Sequence, residues 1–151
     1  MSEKQLIARN LFLQGFNCSQ AVFCAFAQDY GIDKNLALRL SASFGGGIGR
    51  MRKTCGAFCG LSMLIGLEKG QTEENDIETK QENYRIVQEL AKKFAAVHGS
   101  ITCEELLKIR KESKISHIPD ERNEEYYRKR PCLTVVETAV SLFESFLEES
   151  K

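Results

Sequence analysis

Six cysteines in a chain of 151 residues are the groups best equipped for chemistry: Cys18, Cys24, Cys55, Cys59, Cys103 and Cys132. Two histidines, His98 and His117, accompany them, and there is no tryptophan. The densest stretch is residues 44–60, FGGGIGRMRKTCGAFCG, in which a glycine loop leads into basic residues and then a cysteine. Gly45, Gly46, Gly47 and Gly49 let the backbone take positive φ and admit close neighbours. Thr54 suits an N-cap, which places Cys55 in the first turn of a helix. A thiol there sees the positive end of the helix dipole, so its thiolate is favoured. Such a sulfur attacks disulfides or binds metal.

The same placement recurs along the chain. Cys18 follows Asn17, Cys103 follows Thr102 and Cys132 follows Pro131, each at the expected start of a different helix. Helix starts that converge make an anion site, and thiolates or an anionic metal–thiolate cluster would be stabilised there. Arg50, Arg52 and Lys53 precede Cys55, while Arg128, Lys129 and Arg130 precede Cys132. Arg50 is the residue expected to support the charge, with Gly45, Gly46, Gly47 and Gly49 as a close-approach wall. Cys59 shares a helix face with Cys55 and could reach the same site. Cys24 lies roughly 240° round its helix from Cys18 and is expected to be a packed hydrophobe. Gaps of 36, 47 and 28 residues between the four match no zinc finger, and there is no CxxC. The glycine loop lacks the Lys-Ser/Thr of a phosphate loop and a preceding strand, so a tight loop is the better reading. His98 is expected to cap a helix C-terminus, and His117 to be solvated.

These positions depend on helices, because strand-like alternation is absent and apolar residues recur every three or four positions. Helices are expected over residues 2–13, 17–30, 34–43, 55–67 and 76–97. Gly15, Gly31, Gly70 and Gly99 supply stops. Tyr84, Val87, Leu90, Ala91, Phe94 and Ala95 form the stripe of the longest. Thr102 and Glu105 suggest a capping box for a short helix at Cys103. Residues 111–130 are highly charged and are expected to form a long surface loop, with one helical turn over residues 120–126. Pro131 suits the first position of a last helix reaching residue 149, with a stripe of Val136, Ala139, Val140, Phe143, Phe146 and Leu147. The expectation is an all-α, single-domain bundle of about six helices with a Gly-rich loop, spanning residues 1–151.

Composition narrows the function classes. Net charge is zero, from 21 basic and 21 acidic residues, which argues against a nucleic-acid or anionic-membrane surface. The polar start carries no export signal, and no apolar run is long enough to span a bilayer. A cytoplasmic location is therefore expected, where cysteines serve metal or redox chemistry rather than a disulfide framework. A homodimer suits an apolar helical chain of this size. The charged segment with Tyr126 and Tyr127 could dock a redox partner protein.

Several motifs together carry a family resemblance. They are Asn17-Cys18-Ser19-Gln20-Ala21-Val22, FGGGIGR at residues 44–50, and Cys55-Gly56-Ala57-Phe58-Cys59-Gly60. Gly99-Ser100-Ile101-Thr102-Cys103 and Cys132 at the last helix complete the set. In this order the chain resembles the redox-active proteins named for their C…GCAxxG…C…C pattern. The resemblance implies a small redox-linked protein with four signature cysteines, Cys18, Cys55, Cys103 and Cys132. A similar domain accompanies haem in split-Soret-type cytochromes, which points toward an iron–sulfur cluster; the chain has no CxxCH for covalent haem. Three functions stay open. The four cysteines could hold an iron–sulfur cluster for electron transfer, or zinc. Without metal, Cys55 would be the reactive thiol of a thiol–disulfide protein. Or the cysteines are packed in a non-catalytic binding protein.

Overall fold

The computed structural model describes residues 1–108 and 115–151. The apolar periodicity becomes helices at Glu3–Leu13 (α1), Cys18–Phe26 (α2), Lys34–Ser41 (α3), Gly56–Lys69 (α4), Ile77–His98 (α5), Cys103–Leu107 (α6), Glu124–Lys129 (α7) and Cys132–Glu149 (α8). Two 3-10 turns, Ala27–Tyr30 and Ala42–Phe44, continue α2 and α3. Among the described residues there is no strand, only an isolated antiparallel bridge between Thr54 and Thr102. None of the described helices is long and apolar enough to cross a membrane.

Among the described residues there are eight α-helices, where the sequence suggests about six, counting the short one at Cys103 as minor. The added element is α7, in the segment expected to be a loop. Asn123 caps it by accepting from the Tyr126 amide at 2.9 Å. The helix thus starts later than the turn expected at residues 120–126. Residues 111–114 of the expected loop lie outside the described residues. The first two helices start where local chemistry dictates: Ser2 with Gln5, and Asn17 with Gln20, form reciprocal capping boxes. The helix expected over residues 17–30 tightens into a 3-10 turn at Ala27, and Gly31 ends it in the left-handed region.

Helix α4 is the hub, packing against α2, α5 and α8, while α1 covers α2 and α8. Leu61, Leu64 and Ile65 of α4 are fully buried, as are Val22, Phe94, Val136, Val140 and Phe143. Aromatic edges lock the layers, with Phe58 against Phe94 at 5.8 Å and Phe26 against Phe143 at 4.8 Å between ring centroids. On α5 the buried stripe is Ile86, Leu90 and Phe94; Tyr84 is exposed. Gly60 sets how closely α2 and α4 approach. A Cβ there would stand 2.9 Å from the Ser19 carbonyl oxygen and 3.0 Å from Val22 Cβ. At Gly66, six residues further and on another face of α4, a Cβ would meet nothing.

These two glycines of one helix should respond oppositely to the same substitution. Gly60→Ala is expected to destabilise by roughly 1–3 kcal/mol through overpacking. Gly66→Ala is expected to stabilise by roughly 0.5–1 kcal/mol through helix propensity. Urea unfolding of both variants checks this, and equal shifts would contradict the close α2–α4 contact.

Candidate four-cysteine site

The starts of α2 and α4 meet at one sulfur. Cys18 is the first residue of α2, behind the Asn17 cap. A Cβ on Gly56 would stand 2.5 Å from Cys18 Sγ and 2.8 Å from the Phe44 carbonyl oxygen, so glycine alone lets α4 begin there. Cys55 and the backbone amides of Gly46, Ser19 and Ala57 are the groups that favour a negative charge on the Cys18 sulfur. Together they overcome burial and pull the Cys18 thiol down to about 6. Cys18 and burial together push Cys55 well up.

Cys55 reaches this place differently from the expectation. It is itself the N-cap of α4, and Thr54 is extended rather than capping. The reason is long-range pairing. The Cys55 amide donates to the Ile101 carbonyl at 2.7 Å, and the Cys103 amide to the Lys53 carbonyl at 2.6 Å. Residues 53–55 and 101–103 therefore run antiparallel, tying the start of α4 to the start of α6. Gly47, at φ 76°, fits into the same junction; a Cβ there would stand 2.6 Å from Cys103 Cβ. Cys103 opens α6 behind Thr102, but the expected capping box with Glu105 is absent. Thr102 makes no side-chain cap, and its own amide donates to Ser100 Oγ at 2.9 Å. Cys132 is the first residue of α8, with Pro131 as the cap rather than the first helical position.

Cys18, Cys55, Cys103 and Cys132 line one cavity of about 60 Å³, with Phe12, Gly46, Leu106 and Tyr126 among its apolar and backbone walls. Three arginines complete it: Arg52, Arg122 and Arg130. Arg52 is buried, at φ 62°, and its Nη1 donates to Cys103 Sγ at 3.7 Å. Arg122 lies 4.4 Å over the Phe12 ring and 4.9 Å over Tyr126, donating to the Phe12 and Phe16 carbonyls. Arg130 lies 4.6 Å over Tyr126. Burial, then the Cys18 and Cys103 charges, push Cys132 up to about 12. Burial also raises Cys103, less the opposing pull of Arg52. Cys18 is thus the most acidic of the four thiols, and burial opposes ionisation of the other three. Among the described residues, no three Cys, His, Asp or Glu side chains gather closely enough to hold a single ion.

The other candidates separate. Gly46 lines the cysteine cavity, whereas Gly49 and Arg50 face an adjoining groove. Gly45 packs on the Asn17 side chain. The loop amides are mostly spent internally: those of Ile48, Gly49, Arg50, Arg52 and Lys53 all donate to loop or preceding carbonyls. Cys59 does not join the four; its thiol donates to the Thr54 carbonyl at 3.9 Å, and burial raises it to about 11. Cys24 is partly buried and meets Ser41 Oγ at 3.9 Å, as a packed thiol would. His98 ends α5, but burial lowers its pKa and it bonds to Thr138 Oγ1 at 2.8 Å, so it is no cationic cap. His117 is exposed at the groove. Arg52 and Arg130 are among the basic residues that the sequence sets before Cys55 and Cys132, although Arg50 is the one expected to support the charge; Arg122 is not singled out. A sequence signal existed for Arg122, four positions before Tyr126, but its carbonyl partners lie far away in the chain.

A family model described as "Putative redox-active protein (C_GCAxxG_C_C)" matches residues 16–146, a span holding all four cavity cysteines. No curated protein and no solved structure matches the chain.

The Cys18 thiolate has two measurable consequences. Ultraviolet thiolate absorbance of the reduced, metal-free protein should show one step near pH 6, absent in Cys18→Ser and moved upward in Cys55→Ala. The unfolded chain keeps that proton until its ordinary value of 9.0, while the folded chain releases it from about 6. Folding stability should therefore rise with pH across that interval, and the rise should vanish in Cys18→Ser. A first thiolate step near 9 in the wild type would contradict the geometry.

Proposed function

Because the chain belongs to the C_GCAxxG_C_C family, we propose that it is a redox protein in which Cys18, Cys55, Cys103 and Cys132 act as one iron–sulfur centre for electron transfer. The observation carrying this is that four cysteines from four separate helix starts wall a single cavity. Zinc draws four ligands around one atom at about 2.3 Å from sulfur. Sulfurs spread around a cavity suit a polynuclear cluster better. A bound cluster would supply one-electron chemistry.

The residues of the chain have distinct tasks in this reading. Cys18 is ready to ligate without losing a proton. Cys55, Cys103 and Cys132 must each release one, so metal uptake is favoured by rising pH. Arg52, Arg122 and Arg130, with the helix starts, offset the negative charge that four thiolates bring. Phe12, Leu106, Tyr126 and Val135 limit water, which tunes the potential of such a centre.

A second reading rests on the placing of Cys18 and Cys55 side by side where the starts of α2 and α4 meet. In the absence of metal, that pair suits thiol–disulfide exchange. Cys18 is then the attacking thiolate and Cys55 the resolving thiol, the reverse of the role expected for Cys55 from sequence.

Anaerobic purification with iron and sulfide analysis and a visible spectrum separates the two. The cluster reading expects stoichiometric iron and sulfide, with bands bleached by dithionite. Ser at Cys18, Cys55, Cys103 or Cys132 should abolish the bands, while Cys24→Ala retains them. Iron-free protein with a reversible Cys18–Cys55 disulfide would transfer the assignment to thiol exchange. Loss of iron in Cys24→Ala with retention in Cys55→Ser would overturn the four-cysteine assignment.

A further inference from the structure

A groove of about 290 Å³ shares a wall with the cysteine cavity. Asn17, Gly46, Arg52, Arg122, Tyr126 and Arg130 border both. Within the groove three arginines converge on one carboxylate oxygen. Arg50 Nη2 and Arg130 Nη2 each lie 2.7 Å from Asp120 Oδ2, and Arg52 Nη2 lies 3.5 Å from the same oxygen. Arg50 also donates to the Ser116 carbonyl at 2.8 Å. One carboxylate brings one negative charge to three guanidiniums. Among the described residues, Asp120 is the acidic one in the groove lining, and Arg122 adds a fourth cation there.

Two further features set this cluster apart from a surface ion pair. Arg50 and Arg52 both hold positive φ, at 62°, a conformation that costs energy for a residue other than glycine. The left-handed loop thereby directs both side chains at the groove. Arg130 arrives from the other side, just before α8, and is braced over the Tyr126 ring. Asp120, by contrast, sits on a segment without helix and is more exposed than any of its three partners. Three converging, less exposed cations and one more exposed carboxylate are the parts of an anion receptor with an internal occupant.

We infer that this groove receives a small phosphate-bearing ligand, which takes the place of the Asp120 carboxylate on Arg50, Arg52 and Arg130. A phosphate dianion offers three oxygens and a charge near −2 at neutral pH, so it matches three guanidiniums better than a single carboxylate does. Bound there, it lies against the wall shared with the cysteines, so the redox centre and the ligand are neighbours. The site requires no metal, and its test reads binding alone; failure of the iron–sulfur reading leaves it standing, and the converse.

Calorimetric titration of the full chain with inorganic phosphate tests it. Asp120→Asn removes the internal charge while keeping the side-chain shape. It should bind phosphate at least about tenfold more tightly than the wild type. Adding Arg50→Ala to that variant should abolish the gain, and Arg50→Lys should restore part of it. Circular dichroism checks that each variant is folded. If Asp120→Asn does not fold, Asp120→Ser in its place carries the same expectation. Phosphate affinity unchanged by loss of the Asp120 charge, or unchanged by loss of Arg50, would overturn the assignment. So would binding of acetate but not of phosphate.

Discussion

The meeting of two helix starts at the Cys18 sulfur is the constraint on which the rest depends. Helix α4 can begin there only because residue 56 has no side chain, and α2 and α4 can run close together only because residue 60 has none. Backbone amides from both helices then face one sulfur, and a thiol in that field gives up its proton. Cys55 stands at the cap between them. The antiparallel contact of residues 53–55 with 101–103 brings Cys103 to the same place, and α8 delivers Cys132.

Charge balance explains the surroundings. Only one of the four sulfurs is easily ionised, because each further thiolate is opposed by burial and by the charge already on Cys18. Three arginines at the cavity lower the cost of ionising the others; Arg122 and Arg130 are held by aromatic rings or carbonyls, and Arg52 is buried against Cys103. A site with one acidic thiol, three reserve thiols and neighbouring guanidiniums is poised to gain negative charge. That property is what the proposed cluster would need, and what thiol exchange would need without metal.

Local signals made much of this legible in the sequence. Capping by Ser2 and Asn17, the glycine stop at Gly31, and the apolar stripes of α5 and α8 depend on residues within a few positions of one another. They therefore marked the helix start at Cys18, while the starts at Cys55, Cys103 and Cys132 stand close to the expected places on other local chemistry. What the sequence concealed was long-range. Thr54 resembles a cap locally, but pairing with Thr102 draws it into extended backbone. Arg50 and Arg52 are two residues apart, and the left-handed turn decides that Arg52, not Arg50, reaches Cys103. The segment holding Asp120, Arg122 and Arg130 looked like a solvated face. Its partners, Phe12 and Arg50, lie 110 and 70 residues away in the chain, beyond any local pattern.

The central claim is that Cys18, Cys55, Cys103 and Cys132 form one iron–sulfur centre. Anomalous diffraction at the iron edge, from crystals grown and kept without oxygen, tests it most directly. The account predicts iron peaks inside the cavity, each of the four sulfurs within bonding distance of iron, and Cys24 and Cys59 apart from it. Iron bound elsewhere, or a cavity in which Cys103 and Cys132 touch no iron, would contradict it.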